Sequence, residues 1–259
     1  MSSVPSKPKE EGSRGHFSKL LEVEARLALR TPIGLGGGLG ISTVLLVVFG
    51  LIGVAVPGNV AGKDLTIIDL YVPTLLAISF TFLGIYSLPY TMVRYREMGW
   101  LRRVSLTPES PSRLLAAQTI INLTVALAAI MILIFGSELV FGASLHANIP
   151  YFVLSIVLSI AEIFSLGLII AAVVPTQQIC SAVSGVLMFL SFFLSGLWVQ
   201  PSQVGGIVAT IMTYSPPGAA VSALLSSAFN SAPSYTSIVT MVVYTAIFAL
   251  VATRYFRWE

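Results

Sequence analysis

Charge is scarce in this chain. Of its 259 residues, 14 are Lys or Arg and 11 are Asp or Glu, which is 10% together, against 56% hydrophobic with Gly uncounted. Soluble globular domains carry about 25% charged residues, so a mean hydropathy of +0.90 excludes a soluble enzyme, a disordered chain and a nucleic-acid-binding domain. A transmembrane β-barrel is excluded too, because its strands alternate apolar and polar and dilute the average. Cysteine is scarcer still. Cys180 stands alone, so no intramolecular disulfide and no oxidising compartment is required. The two histidines, His16 and His146, belong to no HExxH and fall on opposite sides of the expected membrane, which excludes a zinc intramembrane protease. Gly58-Asn-Val-Ala-Gly62-Lys63-Asp64 is one residue short of a phosphate-cradling GxxxxGK[ST] loop and lacks its hydroxyl residue. Ala182-Val-Ser184-Gly185 does not make a GxSG-type serine nucleophile site. No catalytic residue, metal site or nucleotide site of the chain's own is expected, so any work it does draws on a gradient or a partner.

Long apolar runs are what the chain has in abundance. Six occur, at 33–56, 70–93, 112–136, 150–174, 180–199 and 236–255, each long enough to cross about 30 Å of hydrocarbon at about 1.5 Å per residue. The fold class is therefore an all-α polytopic membrane protein with six transmembrane helices. Residues 1–15 are polar and rich in Pro, Lys, Glu and Ser, the composition of a disordered tail. Within 16–30, Phe17, Leu20, Leu21, Ala25, Leu27 and Ala28 recur among Lys19, Glu22, Glu24, Arg26 and Arg30. That pattern is an amphipathic helix lying in the membrane interface. Residues 203–229 are moderately apolar but broken by Tyr214-Ser-Pro-Pro-Gly218. Broken backbone at membrane depth needs shielding by protein or a wet cavity, so an outer re-entrant hairpin is expected before the last span. Residues 16–259 read as a single membrane domain.

Orientation follows from where the positive residues lie. Six precede the first span, five (Arg94, Arg96, Arg102, Arg103 and Arg113) lie between spans two and three, and Arg254 and Arg257 follow span six. Only Lys63 lies on the other side. The positive-inside tendency places both termini in the cytoplasm, which an even number of spans satisfies. Within the spans, Gly34, Gly36, Gly38 and Gly40 form two overlapping GxxxG pairs, suited either to packing inside the chain or to a dimer seam. Glu162 is the one acid deep in a span. It is a functional candidate by position, and Ser155, Ser159 and Ser165 on nearby turns are its expected hydrogen-bond partners.

The connection Arg94-Tyr-Arg-Glu-Met-Gly-Trp-Leu-Arg-Arg-Val-Ser-Leu-Thr-Pro108 reads as a short amphipathic helix with an apolar knob and a basic rim, fit to dock in a groove on a soluble partner. Arg96-Glu97-x-Gly99-x-Leu101-x-Arg103 followed by Thr107-Pro108 resembles the coupling-helix signature of ABC-2-type transporter permeases. Pro175-Thr-Gln-Gln178 resembles that family's polar turn between spans four and five. Ser195-Gly196-Leu-Trp-Val-Gln-Pro201 resembles the motif ending span five, and Tyr214-Ser-Pro-Pro217 the family's outer re-entrant segment. Trp100 and Arg102 depart from the residues usual there, as does Ser215 before Pro216.

The resemblance implies a multi-pass permease of the bacterial plasma membrane, paired with a second copy or a homologue. It also implies a separate nucleotide-binding subunit that holds ATP and Mg, so the chain needs no cofactor. Coupling to that subunit would fall to Arg96, Glu97, Gly99, Trp100, Leu101, Arg103, Gln177 and Gln178. Phe82, Tyr86, Phe189 and Phe193, with Glu162, would line the substrate path. An apolar, aromatic lining and a short first outer loop favour a hydrophobic or amphipathic small molecule such as a drug. A lipid or lipid-linked glycan is the alternative cargo. A proton-coupled carrier using Glu162, or a membrane scaffold without transport, are the readings outside the family.

Overall fold

The computed structural model describes residues 21–28, 36–55, 66–99, 111–199 and 201–255. Among them, six helices are long and apolar enough to cross a membrane. Residues 21–28 form a short helix, α1. Helix α2 opens as a π-helical stretch, Gly36–Ile41, and continues as Ser42–Ala55. Helix α3 runs from Ile67 to Glu97. The next spans are α4 (Pro111–Phe141), α5 (Ile149–Val173) and α6 (Gln177–Leu194). Three short helices follow, α7 (Pro201–Val204), α8 (Gly206–Tyr214) and α9 (Pro216–Ala228), before the last span, α10 (Tyr235–Tyr255).

Helix α3 is the axis of the bundle. It is buried over most of its length, whereas α2, α4, α6 and α10 bury only a minority of theirs. Their outward residues, such as Val47, Leu51, Leu127, Val186, Phe189 and Leu250, are exposed apolar side chains of the kind that lipid or another chain covers. Midway, α3 widens into a π-helical segment, Phe82–Ser87, where the Leu88 N–H reaches back to the Leu83 carbonyl. Pro89 follows at once. Its missing N–H would leave a carbonyl of a regular helix without a donor, and widening the turn accommodates that loss. The widened turn presents Gly84 to Gly167 of α5, and a Cβ on Gly167 would sit 1.9 Å from the Gly84 carbonyl oxygen. The two helices thus meet backbone to backbone. On the other side, Gly37 makes room for the Phe82 ring and Gly38 for Leu83. The glycine pattern at the start of α2 serves packing inside the chain at these positions, and Gly40 faces open space. The Gly38 carbonyl also accepts from Ser79 Oγ at 2.8 Å and from Ser42 Oγ at 3.1 Å.

Several expected boundaries shift. The second span continues four residues past the expected 93, so Arg94 to Glu97 form the last turn of α3 and not a separate helix. Gly99 then ends that helix at φ +63°, the left-handed position where glycine is favoured after a helix C-terminus. The third span extends to Phe141. The fifth starts at Gln177, so Gln177 and Gln178 belong to its first turn and not to the connecting turn. It ends at Leu194, with Gly196 at φ +80° and Pro201 opening α7. The broken segment is a bent pair, α8 and α9, meeting at 78°. Ser215 caps α9 by accepting from the Gly218 N–H, and Pro216 occupies its first turn, the residue types a helix start prefers.

Candidate functional site

Three consecutive residues at the end of α3 reach three neighbouring helices. The Arg96 guanidinium donates through Nη1 to the Ala171 carbonyl at 3.2 Å and through Nη2 to the Val174 carbonyl. Both carbonyls lie at the C-terminal end of α5, where helical carbonyls lack partners and the dipole is negative. The neighbouring Glu97 carboxylate does the reverse. Its Oε2 accepts from the Gln177 N–H at 3.2 Å, the first residue of α6, where donors are unpaired and the dipole is positive. The Thr176 hydroxyl supplies the cap by accepting from the Ile179 N–H at 3.4 Å. One Arg-Glu dipeptide therefore clasps both sides of the 174–176 turn, and its charge order matches the two helix ends. Gln178 is exposed beside it.

Tyr95, the third of the three, donates its hydroxyl proton to Glu24 Oε2 at 2.6 Å. Gln118 Nε2 of α4 donates to the same oxygen, also at 2.6 Å. The Glu24 side chain is buried, and that burial raises its carboxyl above the ordinary carboxylate range while both hydrogen bonds oppose the rise. Asn122 Nδ2 donates to the Gln118 carbonyl at 2.9 Å, one turn away.

Of the expected coupling residues, Arg96, Glu97 and Gln177 meet in this cluster, and Gly99 lies just beyond it. Trp100, Leu101 and Arg103 lie outside the described residues. The expected substrate-path residues occupy different environments. Phe82 is buried on α3 and stacks on Tyr86, with ring centroids 5.2 Å apart, and Tyr86 stacks on Tyr90 at 5.8 Å. Phe189 is 67% exposed on α6, and Phe193 is half-buried. Glu162 is fully buried, and neither carboxyl oxygen has a hydrogen-bond partner among the described residues. The expected serine partners are engaged elsewhere. Ser155 Oγ donates to the Tyr151 and Ala223 carbonyls, Ser159 Oγ to Ser155 and Ser165 Oγ to Ala161. Serine in a helix reaches its own preceding turn more readily than a side chain on the next.

The profile of the ABC-2 type transporter family matches residues 16–229. The chain belongs to that family. It is the membrane-spanning permease component of an ABC transporter, with the ATPase carried by a separate nucleotide-binding subunit. No curated protein matches the permease. The match begins before α1 and ends just past α9, so it takes in the whole clasp.

Sequence reasoning missed Glu24, Tyr95 and Gln118 as a unit. A signal was present in two places. Glu24 stands three residues after Leu21 and four before Ala28, which puts an acid on the apolar face of α1. Gln118 and Asn122 are an i,i+4 amide pair within an otherwise apolar span. At the opposite end of α3, buried Asp69 was also passed over. Its Oδ2 accepts from the Thr66 N–H and hydroxyl, each at 2.7 Å, and its Oδ1 from the Ser144 N–H at 2.8 Å.

Proposed function

We propose that this permease serves an ATP-driven exporter that moves a hydrophobic or amphipathic, drug-like small molecule outward across a bacterial plasma membrane. Its termini and the 94–113 connection face the cytoplasm, residues 16–259 act as one membrane domain, and 1–15 is a tail. A nucleotide-binding subunit that holds ATP and Mg docks on this connection, with Trp100, Leu101 and Arg103 in contact with it. Arg96, Glu97, Gly99, Gln177 and Gln178 transmit the push.

The observation that supports this reading is the Arg96–Glu97 clasp. It ties the chain entering the α3–α4 connection to the α5–α6 turn, so a partner pressing on one displaces both together. ATP binding then acts by favouring one of two arrangements of the spans through differential contacts. A second permease copy or a homologue covers the exposed apolar faces of α2 and α6. Phe189 and Phe193 meet the cargo there, and Phe82, Tyr86 and Glu162 line the path as it opens. The Glu162 carboxyl, without a hydrogen-bond partner among the described residues, favours a second reading, a proton-coupled carrier.

The two readings separate in proteoliposomes holding the permease co-purified with its ATPase subunit. For the exporter, Leu101→Asp and Glu97→Arg leave insertion intact but abolish substrate-stimulated ATP hydrolysis and transport. Transport driven by a pH gradient without ATP, abolished by Glu162→Gln, would establish the carrier instead.

A further inference from the structure

We propose that Glu24 is a positioning residue that makes the interfacial helix α1 part of the body moved by the nucleotide-binding subunit. The inference rests on the coupling reading above and adds a tether that reading does not contain. A single carboxylate oxygen on α1 accepts from Tyr95 of α3 and from Gln118 of α4, both at 2.6 Å. Those two helices flank the α3–α4 connection. Tyr95 immediately precedes the Arg96–Glu97 clasp, so three consecutive side chains join α1, α5 and α6 to the end of α3, and Glu24 adds α4 through Gln118.

The apolar face of α1 is only half-buried at Leu21, Ala25 and Ala28. Leu21, Ala25 and Ala28 face Ile121 and Val125 of α4 across a groove of about 350 Å³, and open space forfeits the dispersion contacts a close fit would give. A leucine at position 24 would suit that apolar face. An acid there is costly to bury, but its hydrogen bonds are directional and charge-assisted, and so fix α1 in register with the connection. A movement of α3 at Tyr95 must therefore carry α1 with it, or break the short Tyr95 hydrogen bond to a buried carboxylate.

The test uses the full chain in sealed proteoliposomes with its ATPase subunit, in a Cys180→Ser background. Spin labels at Val23→Cys on α1 and Leu123→Cys on α4, both exposed positions, report the tether without reference to ATP. Uptake of a fluorescent amphipathic dye per ATP hydrolysed reports coupling. Glu24→Leu should broaden the label distance distribution and lower transport per ATP at least tenfold, with ATP hydrolysis retained. Glu24→Gln, whose amide oxygen accepts both hydrogen bonds, should restore both readouts to within twofold. Tyr95→Phe, which removes one donor and keeps the ring, should fall between them and serves if Glu24→Leu does not assemble. An unchanged distance distribution in Glu24→Leu and Tyr95→Phe overturns the tether. A broadened distribution with transport per ATP unchanged overturns the coupling role. A wild-type complex without coupled ATPase activity overturns the exporter reading and that role with it, while the labels still judge the tether.

Discussion

The two ends of α3 are held in opposite ways. At one end a single buried acid, Asp69, closes the helix start, accepting from Thr66 three residues away and from the Ser144 N–H. At the other, Tyr95, Arg96 and Glu97 bond to partners 71, 75 to 78 and 80 residues distant in sequence. The first is a cap whose bonds satisfy the helix end and one neighbouring loop. The second is a junction whose bonds link α3 to three other helices, and through Glu24 to a fourth. A cap contributes stability, whereas a junction also passes displacement from one element to another.

The largest expected effect breaks the comparison by damaging both ends together. Gly167→Ala drives a Cβ into the Gly84 carbonyl and forces α5 off α3, at a cost of about 3 kcal/mol. Its melting temperature in detergent should fall furthest of all the variants, and both activity and assembly should suffer. Asp69→Ala sharpens the comparison from the cap side. It removes the charged acceptor of three part-buried hydrogen bonds at a cost of about 2 kcal/mol, yet transport per ATP should stay at the wild-type value in the protein that folds. Arg96→Leu sharpens it from the junction side. Removing the guanidinium from two helix-end carbonyls costs about 1.5 kcal/mol, and here transport per ATP should collapse while hydrolysis continues. If Asp69→Ala uncouples and Arg96→Leu does not, the assignment of cap and junction is reversed.

Smallest is the pH dependence of the junction's buried acid. Burial raises the Glu24 carboxyl above its ordinary value of 4.5, so the folded state holds that proton more tightly than the unfolded state. The resulting stability is complete below the unfolded pKa and is lost as pH rises through the folded one. Glu24→Gln should flatten that part of the melting-temperature profile above pH 4.5. A wild-type profile with the same slope as Glu24→Gln would show that the carboxyl does not titrate there.

The cap and the junction also differ in how visibly the sequence announces them. Hydropathy marks the six spans because lipid demands an apolar surface over about 20 residues. Helix ends at Gly99, Gly196, Pro201 and Ser215-Pro216 are marked by residue types that each end requires. The Arg-Glu-x-Gly stretch was legible as a special connection, but not the direction in which its charges turn. Arginine and glutamate on a helix end read as a solvated rim. Only the placement of α5 and α6 beside them supplies a carbonyl end for one and an N–H end for the other. Glu162 shows the same limit from the other side. Serines at i−3, i+3 and i−7 suggested partners, but local geometry gave each one a backbone carbonyl.

The contact between Gly84 and Gly167 has a mechanical consequence. With no side chain between the two backbones there is no compressible layer, and the crossing works as a fulcrum. It divides α3 into arms of 15 residues to Asp69 and 12 to Arg96, or about 22 Å and about 18 Å at about 1.5 Å per residue. Nearly equal arms give little amplification. A tilt that shifts the Arg96 end by one ångström swings the Asp69 end by about as much in the opposite sense.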